Sequence, residues 1–144
     1  EGERRAIWGI REDFERILET QPTFLYDVSL PIKNMDAYII EVKERLKNRW
    51  SNVKYYVLGH IGDGNLHIFV SPCEEGKNLH EQSDEDVYTP LIQYGGSVSA
   101  EHGIGVEKKK WLHLSRSDVE ITLMKQLKKS LDPKGILNPG VVFD

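Results

Sequence analysis

The chain of 144 residues carries one cysteine, Cys73, so no internal disulfide framework can staple it, which fits a reducing compartment. It has no run near the ~18 apolar residues a membrane-spanning helix needs, and no charged-then-apolar leader opens it. The expectation is a soluble protein, cytoplasmic or, in a eukaryote, mitochondrial. A surplus of positive charge is also missing. With 19 Lys and Arg against 23 Asp and Glu the net charge is −4, which leaves little to neutralise phosphates and argues against a nucleic-acid partner. Internal repeats and low-complexity tracts are absent as well, and the length suits one hydrophobic core rather than two. The first residue is Glu1 rather than Met, so the chain is expected to start inside a longer product.

What is there is periodicity with clear punctuation. Ala6, Ile10, Phe14, Ile17 and Leu18 recur at helical spacing and predict an amphipathic helix near 3–19. Phe24 to Leu30 reads as a strand ended by Pro31, and Met35, Tyr38, Ile39, Val42 and Leu46 predict a helix to about Arg49. Val53 to Ile61 and Asn65 to Ser71 alternate as two arms of a hairpin. Leu79 to Tyr94 reads as a helix, kinked or restarted at Pro90 and closed by Gly95-Gly96, and Ser97 to Glu101 as a short strand. Ser117 with Glu120 is a capping box for a last helix, with Ile121, Met124, Leu127 and Leu131 turned inward. The order from Phe24 to Glu101 predicts an α+β, ferredoxin-like βαββαβ fold. Four antiparallel strands would carry both helices on one face, with an N-terminal helix and C-terminal helices added.

The chemistry concentrates around the hairpin. Asp63-Gly64 predicts a two-residue type I′ turn, which sets His60 opposite His67 on one face. Leu66, Ile68 and Val70 share a side with Tyr55, Val57 and Ile61. Hence Asn65, His67 and Phe69 belong to the open face with Tyr56, Leu58 and His60. Two imidazoles with a carboxylate form a donor set for zinc, the first choice here, or for non-haem iron, and Glu101 is the candidate third ligand. The alternative is a cross-strand histidine pair that binds nothing. His102 is a candidate base or a loop histidine bonded to backbone. Arg11 is either a solvated helix charge or a clamp for a substrate carboxylate. Lys108-Lys109-Lys110 reads as a solvated face, with a cationic docking patch as the alternative, and Trp8, Trp50 and Trp111 as core or rim packing rather than a stacking platform.

Three segments taken together resemble one family. They are Gly59-His60-Ile61-Gly62-Asp63-Gly64-Asn65-Leu66-His67, Gly95 through Gly105 around Glu101-His102, and Leu131 through Gly140 around Asn138. This succession resembles the C-terminal domain of FAD-linked 2-hydroxyacid oxidases and dehydrogenases. The group takes in D-lactate dehydrogenase, the glycolate oxidase flavin subunit and D-2-hydroxyglutarate dehydrogenase, within the vanillyl-alcohol-oxidase superfamily. The resemblance implies that residues 1–144 form a single substrate-covering domain, the FAD-binding domain lying outside this chain. It implies His60, His67 and Glu101 as metal ligands, His102 as base, Arg11 on the substrate carboxylate and Asn138 near the flavin. It further implies a 2-hydroxy acid substrate, an electron acceptor such as an electron-transfer flavoprotein or a quinone, and a homodimer as one possible assembly. The chain alone, lacking the flavin, is expected to fold without turning over substrate.

Two positions depart from the hydroxyglutarate-type pattern. Leu25 stands where a Lys is usual, and Phe69 where an Asn is usual. Both changes are apolar, so a monocarboxylic or more apolar substrate fits at least as well. Two other readings use the same residues: a flavin-free metal enzyme with a two-His-one-Glu site, and a ferredoxin-like binding module without chemistry.

Overall fold

The computed structural model describes residues 2–12, 15–60 and 62–143, with positions 10–12, 15 and 16 described in backbone only. Two helices open the chain, α1 (Gly2–Glu12) and α2 (Glu15–Leu18), where the periodicity predicts one. Strand β1 (Phe24–Ser29) follows, then a 3₁₀ turn (Ile32–Asn34) and helix α3 (Met35–Arg49). The hairpin is β2 (Lys54–His60) and β3 (Asn65–Ser71). The next helical stretch breaks at Thr89-Pro90 into α4 (Leu79–Tyr88) and α5 (Leu91–Tyr94). Proline has no N–H to continue the ladder and restarts the helix as its cap. A second 3₁₀ segment (Lys109–Leu114) leads to α6 (Asp118–Leu131).

The sheet is antiparallel in the order β1-β3-β2. Alternation decides which side meets the helices. Tyr26, Val28, Leu66, Ile68 and Val70 form the core with Tyr38, Val42 and Leu46 of α3 and with Val87, Tyr88 and Leu91 of α4 and α5. Burial of one such Leu or Val side chain contributes about 1.5–3 kcal/mol, so this two-layer cluster dominates stability. Polar groups lock its layers. The Tyr38 hydroxyl donates to Val87 O at 2.9 Å, and Arg49 forks onto Asp86 at 2.5 and 3.0 Å, tying the end of α3 to α4.

Three expectations are corrected. The fourth strand reduces to a single bridge between Ser29 and Ser97 at the free edge of β1. The hairpin turn holds four residues, with His60 opposite Asn65 and Leu58 opposite His67. Gly59 fixes that register. A Cβ there would lie 2.2 Å from Asn65 O, so only glycine lets the arms meet at this point. The shift from the expected pairing amounts to two residues along β3. Since side chains alternate with period two, every residue keeps its face.

The third correction concerns α6. Its capping box forms as expected, Ser117 Oγ accepting from Glu120 N. None of its residues is buried, however, and Leu131 is 82% exposed. Ile121 and Met124 are half-buried, whereas Leu127 and Leu131 remain exposed. Among the described residues no helix is long and apolar enough to cross a membrane.

Candidate metal and proton-transfer site

The open face of the sheet carries the polar residues of the hairpin. His60 ends β2 and His67 lies inside β3. Because the rings stand on one face in diagonal register, their centroids come within 5.5 Å at 83°. Glu101 enters from the loop beyond Ser97. Its Oε1 lies 3.5 Å from His60 Nε2 and its Oε2 3.9 Å from His67 Nε2. Asn65, buried at the start of β3, donates its amide N–H to Glu101 Oε1 at 2.6 Å and so aims the carboxylate at the histidines.

His60, His67 and Glu101 each offer a donor atom within 4.8 Å of the others. Zinc bonds of 2.0–2.1 Å place tetrahedral ligand atoms about 3.3 Å apart, so a modest closure of this triangle suffices. The donor set and its half-exposed position therefore fit a divalent ion with an open coordination position. Zinc or iron suits two imidazoles and a carboxylate better than calcium or magnesium does. A second group, Asp27, His67 and His102, meets the same distance criterion. His102 stacks on His67 with centroids 5.8 Å apart and planes 21° apart, which places an imidazole beside the triangle.

The segment carrying Glu101 and His102 is held by one carboxylate. Asp27 is 0% exposed although it lies on the open face of β1, because the loop covers it. Its Oδ2 accepts three consecutive backbone N–H groups: Ala100 at 3.0 Å, Glu101 at 2.8 Å and His102 at 2.9 Å. Those N–H groups are spent on a side chain and cannot form a ladder, which is why the expected fourth strand stops at Ser97. Burial pushes the Asp27 pKa up. The N–H bonds from His102, Glu101 and Ala100 and the charge of Lys108 outweigh it and hold the carboxyl below its ordinary value.

Lys108 overturns the reading of its cluster as a solvated face. It is 7% exposed, and its Nζ donates to Asp27 O at 3.0 Å and lies 3.6 Å from Asp27 Oδ2. Burial pulls its pKa down, opposed by Asp27. Sequence reasoning assigned no role to Asp27, Asn65 or Lys108. A lone carboxylate alternating with the apolar Tyr26 and Val28 is a signal for Asp27. None singles Lys108 out from its two neighbours.

Of the other candidates, Arg11 lies outside the described side chains. Asn138 stands exposed with φ +46° on the terminal turn, lining a separate concavity with Lys128 and Asp132. That turn is tied back by Val142 N donating to Gly105 O at 3.1 Å, three residues beyond His102. Leu25 and Phe69, the two apolar departures, prove to be cross-strand partners, and Tyr56 faces Phe69 from the other side. A single apolar row therefore runs beside the row of Asp27, His67 and Leu58. Beyond His102 opens a concavity of about 590 Å³ lined in part by Phe24, Leu25, His80 and Ile104.

Comparison with known proteins finds relatives along most of this chain. Rat mitochondrial D-2-hydroxyglutarate dehydrogenase is 42% identical over 136 residues, covering 94% of this chain and 25% of the relative. The mitochondrial enzyme of that name from Arabidopsis thaliana is 39% identical over 139 residues, covering 96% of this chain and 24% of the relative. The D-2-hydroxyglutarate dehydrogenase of Stutzerimonas stutzeri is 32% identical over 148 residues, covering 99% and 32%. The chain thus spans about a quarter to a third of the length of these relatives. The family model described as FAD linked oxidases, C-terminal domain, matches residues 1–142, and the chain belongs to that family.

Proposed function

We propose that this chain is the substrate-covering part of an FAD-dependent enzyme that oxidises a 2-hydroxy acid to the 2-oxo acid. The observation that carries the reading is the convergence of His60, His67, Glu101 and His102 on one face of a sheet within a domain of the FAD linked oxidases. His60, His67 and Glu101 would hold a divalent ion, zinc by its donor chemistry, supplying Lewis acidity toward the substrate's 2-hydroxyl. FAD, held mainly outside this chain, supplies the hydride acceptor. Exposed Leu25, Tyr56 and Leu58 leave an apolar surface beside His67, which suits a ring system lying over this face.

The chain's own residues then orient the acid and move its proton. An imidazole nitrogen of His102 takes the hydroxyl proton, and the stacking on His67 keeps that ring at the edge of the ligand triangle. Arg11 would hold the substrate carboxylate through two parallel bonds, converting an encounter into an oriented complex. Asn138, on the turn anchored to Gly105, would approach the flavin. The relatives' names point to D-2-hydroxyglutarate, whereas the Leu25-Phe69 row offers a far carboxylate no charged partner. That row favours a 2-hydroxy acid with an uncharged tail.

The deciding experiment uses the full-length protein that contains this chain. We expect a flavin absorption band that bleaches with a D- or L-2-hydroxy acid, a metal content near one ion per chain, and loss of turnover on chelation. His67→Ala is expected to lose both metal and turnover. Active but colourless protein would overturn the reading in favour of a flavin-free metal enzyme. A metal content unchanged in both His60→Ala and His67→Ala would remove the ligand assignment.

A further inference from the structure

His67 lies between two carboxylates. Its Nε2 faces Glu101 Oε2 at 3.9 Å, and its Nδ1 faces Asp27 Oδ1 at 3.8 Å. Asp27 Oδ1 is fully buried and has no hydrogen-bond partner among the described residues, while Oδ2 is saturated by three backbone N–H groups and approached by Ser99 Oγ at 3.3 Å. A buried carboxylate oxygen without a donor is costly, and the imidazole is the group that faces it. We infer that Asp27 is a positioning residue for the metal triangle, its two oxygens dividing the work between the loop that carries Glu101 and His102 and the tautomer of His67.

The division follows from what each oxygen can accept. Oδ2 fixes the backbone of three successive residues and thereby the origins of the Glu101 and His102 side chains. Oδ1 can accept only a proton on Nδ1, so a small approach of the ring places the His67 N–H there. The lone pair is then on Nε2, directed at the space shared with His60 Nε2 and Glu101. On this argument Asp27 is not itself a metal ligand, although its distance to His67 and His102 would allow it. Lys108 on the far side neutralises the carboxylate without competing for Oδ1. The inference rests on the metal reading of His60, His67 and Glu101.

Asp27→Asn separates the two tasks. Three N–H donors require the amide oxygen at the Oδ2 position, so the NH₂ group takes the place of Oδ1 and points a donor at Nδ1. His67 must then accept at Nδ1 and carry its proton on Nε2, where the lone pair for a metal is lost. The test uses the full-length protein, with Zn²⁺ affinity measured by chelator competition and folding checked by circular dichroism on the metal-free form. We expect a folded Asp27→Asn variant with zinc affinity reduced by about 10- to 100-fold or more. A folded variant that binds zinc like the wild type overturns the inference, whereas a wild type that binds no zinc overturns the metal reading beneath it. A second measurement does not depend on the variant folding. In wild-type protein labelled with ¹⁵N-histidine and loaded with Zn²⁺, His67 should carry its proton on Nδ1 and zinc on Nε2. Zinc on Nδ1, or zinc directly on Asp27, refutes the proposal.

Discussion

Replacement of Lys108 by Met tests whether the buried ammonium holds the loop or merely fills space. Methionine keeps most of the stem's volume and removes the charge with its bonds to Asp27 O at 3.0 Å and Ser99 Oγ at 3.5 Å and its approach to Asp27 Oδ2 at 3.6 Å. Orphaning one member of a buried ion pair costs about 3–5 kcal/mol. Here Asp27 keeps its three N–H bonds, each worth about 1.5–3 kcal/mol to a charged acceptor, so it is not left bare. The loss should therefore fall below that range, at about 2–3 kcal/mol. For a chain of this size about 1 kcal/mol moves the midpoint by roughly 2–4 °C, giving an expected drop of about 4–12 °C. Urea denaturation supplies the free energy, and a double-mutant cycle with Asp27→Asn isolates the pair. We expect a coupling above ~1 kcal/mol. A single-variant loss below ~0.5 kcal/mol, or additivity in the cycle, would refute the view that Lys108 and Asp27 form one unit.

Two further perturbations probe the frame around the site. Gly59→Ala would set a Cβ 2.2 Å from Asn65 O and 3.1 Å from Leu66 Cα, both backbone atoms that cannot swing away. We expect a loss of about 1–3 kcal/mol in urea denaturation together with weaker zinc binding, since His60 opposes Asn65 in that register; unchanged stability would disprove the register. Asp132 closes α6. The Lys128 bond and the N–H groups of Ile136 and Leu137 overcome its burial and hold its pKa below the ordinary carboxylate value. A depressed pKa contributes stability that is fully present above the unfolded-state value of about 3.9 and is lost as pH falls through the folded-state value. The wild type should thus lose stability relative to Asp132→Asn on acidification from pH 5 downward, and parallel melting profiles of the two proteins would contradict the assignment.

The hairpin shows how much of the site was legible in the sequence. Alternation in Leu66, Ile68 and Val70 gives the buried side, and it remains correct although the Asp63-Gly64 turn signal gives the wrong register. An error of two residues is invisible to a period of two, so His60 and His67 share a face under either pairing. The α3 periodicity, the break at Pro90 and the Ser117-Glu120 capping box were equally readable, because each depends on neighbours in sequence. What was not readable depends on contacts across 70 or 80 positions. The short segment after Gly95-Gly96 and the order of elements predicted a fourth strand, yet the N–H groups from Ala100 to His102 go to Asp27, some 73 to 75 positions away.

The same long-range contact explains why Lys108 was misread. Three consecutive lysines look alike to any local rule, but they differ in what lies opposite: Lys109 reaches Gly140 O, Lys110 pairs with Glu81 beside the Trp111 ring, and Lys108 turns inward to Asp27. A buried ammonium is tolerated only where a fixed negative charge meets it, and a buried carboxylate only where donors and a cation surround it. Neither residue makes sense alone. Their pairing also gives the site its stiffness, since Glu101 and His102 ride on a loop with left-handed glycines at 103 and 105 and would otherwise have little to fix them. The sheet presents His60 and His67 by regular geometry, whereas the carboxylate and the base are delivered by one buried charge pair. That makes the ion pair a determinant of site geometry: stabilising the core elsewhere should restore the melting point of a Lys108→Met protein without restoring its zinc affinity.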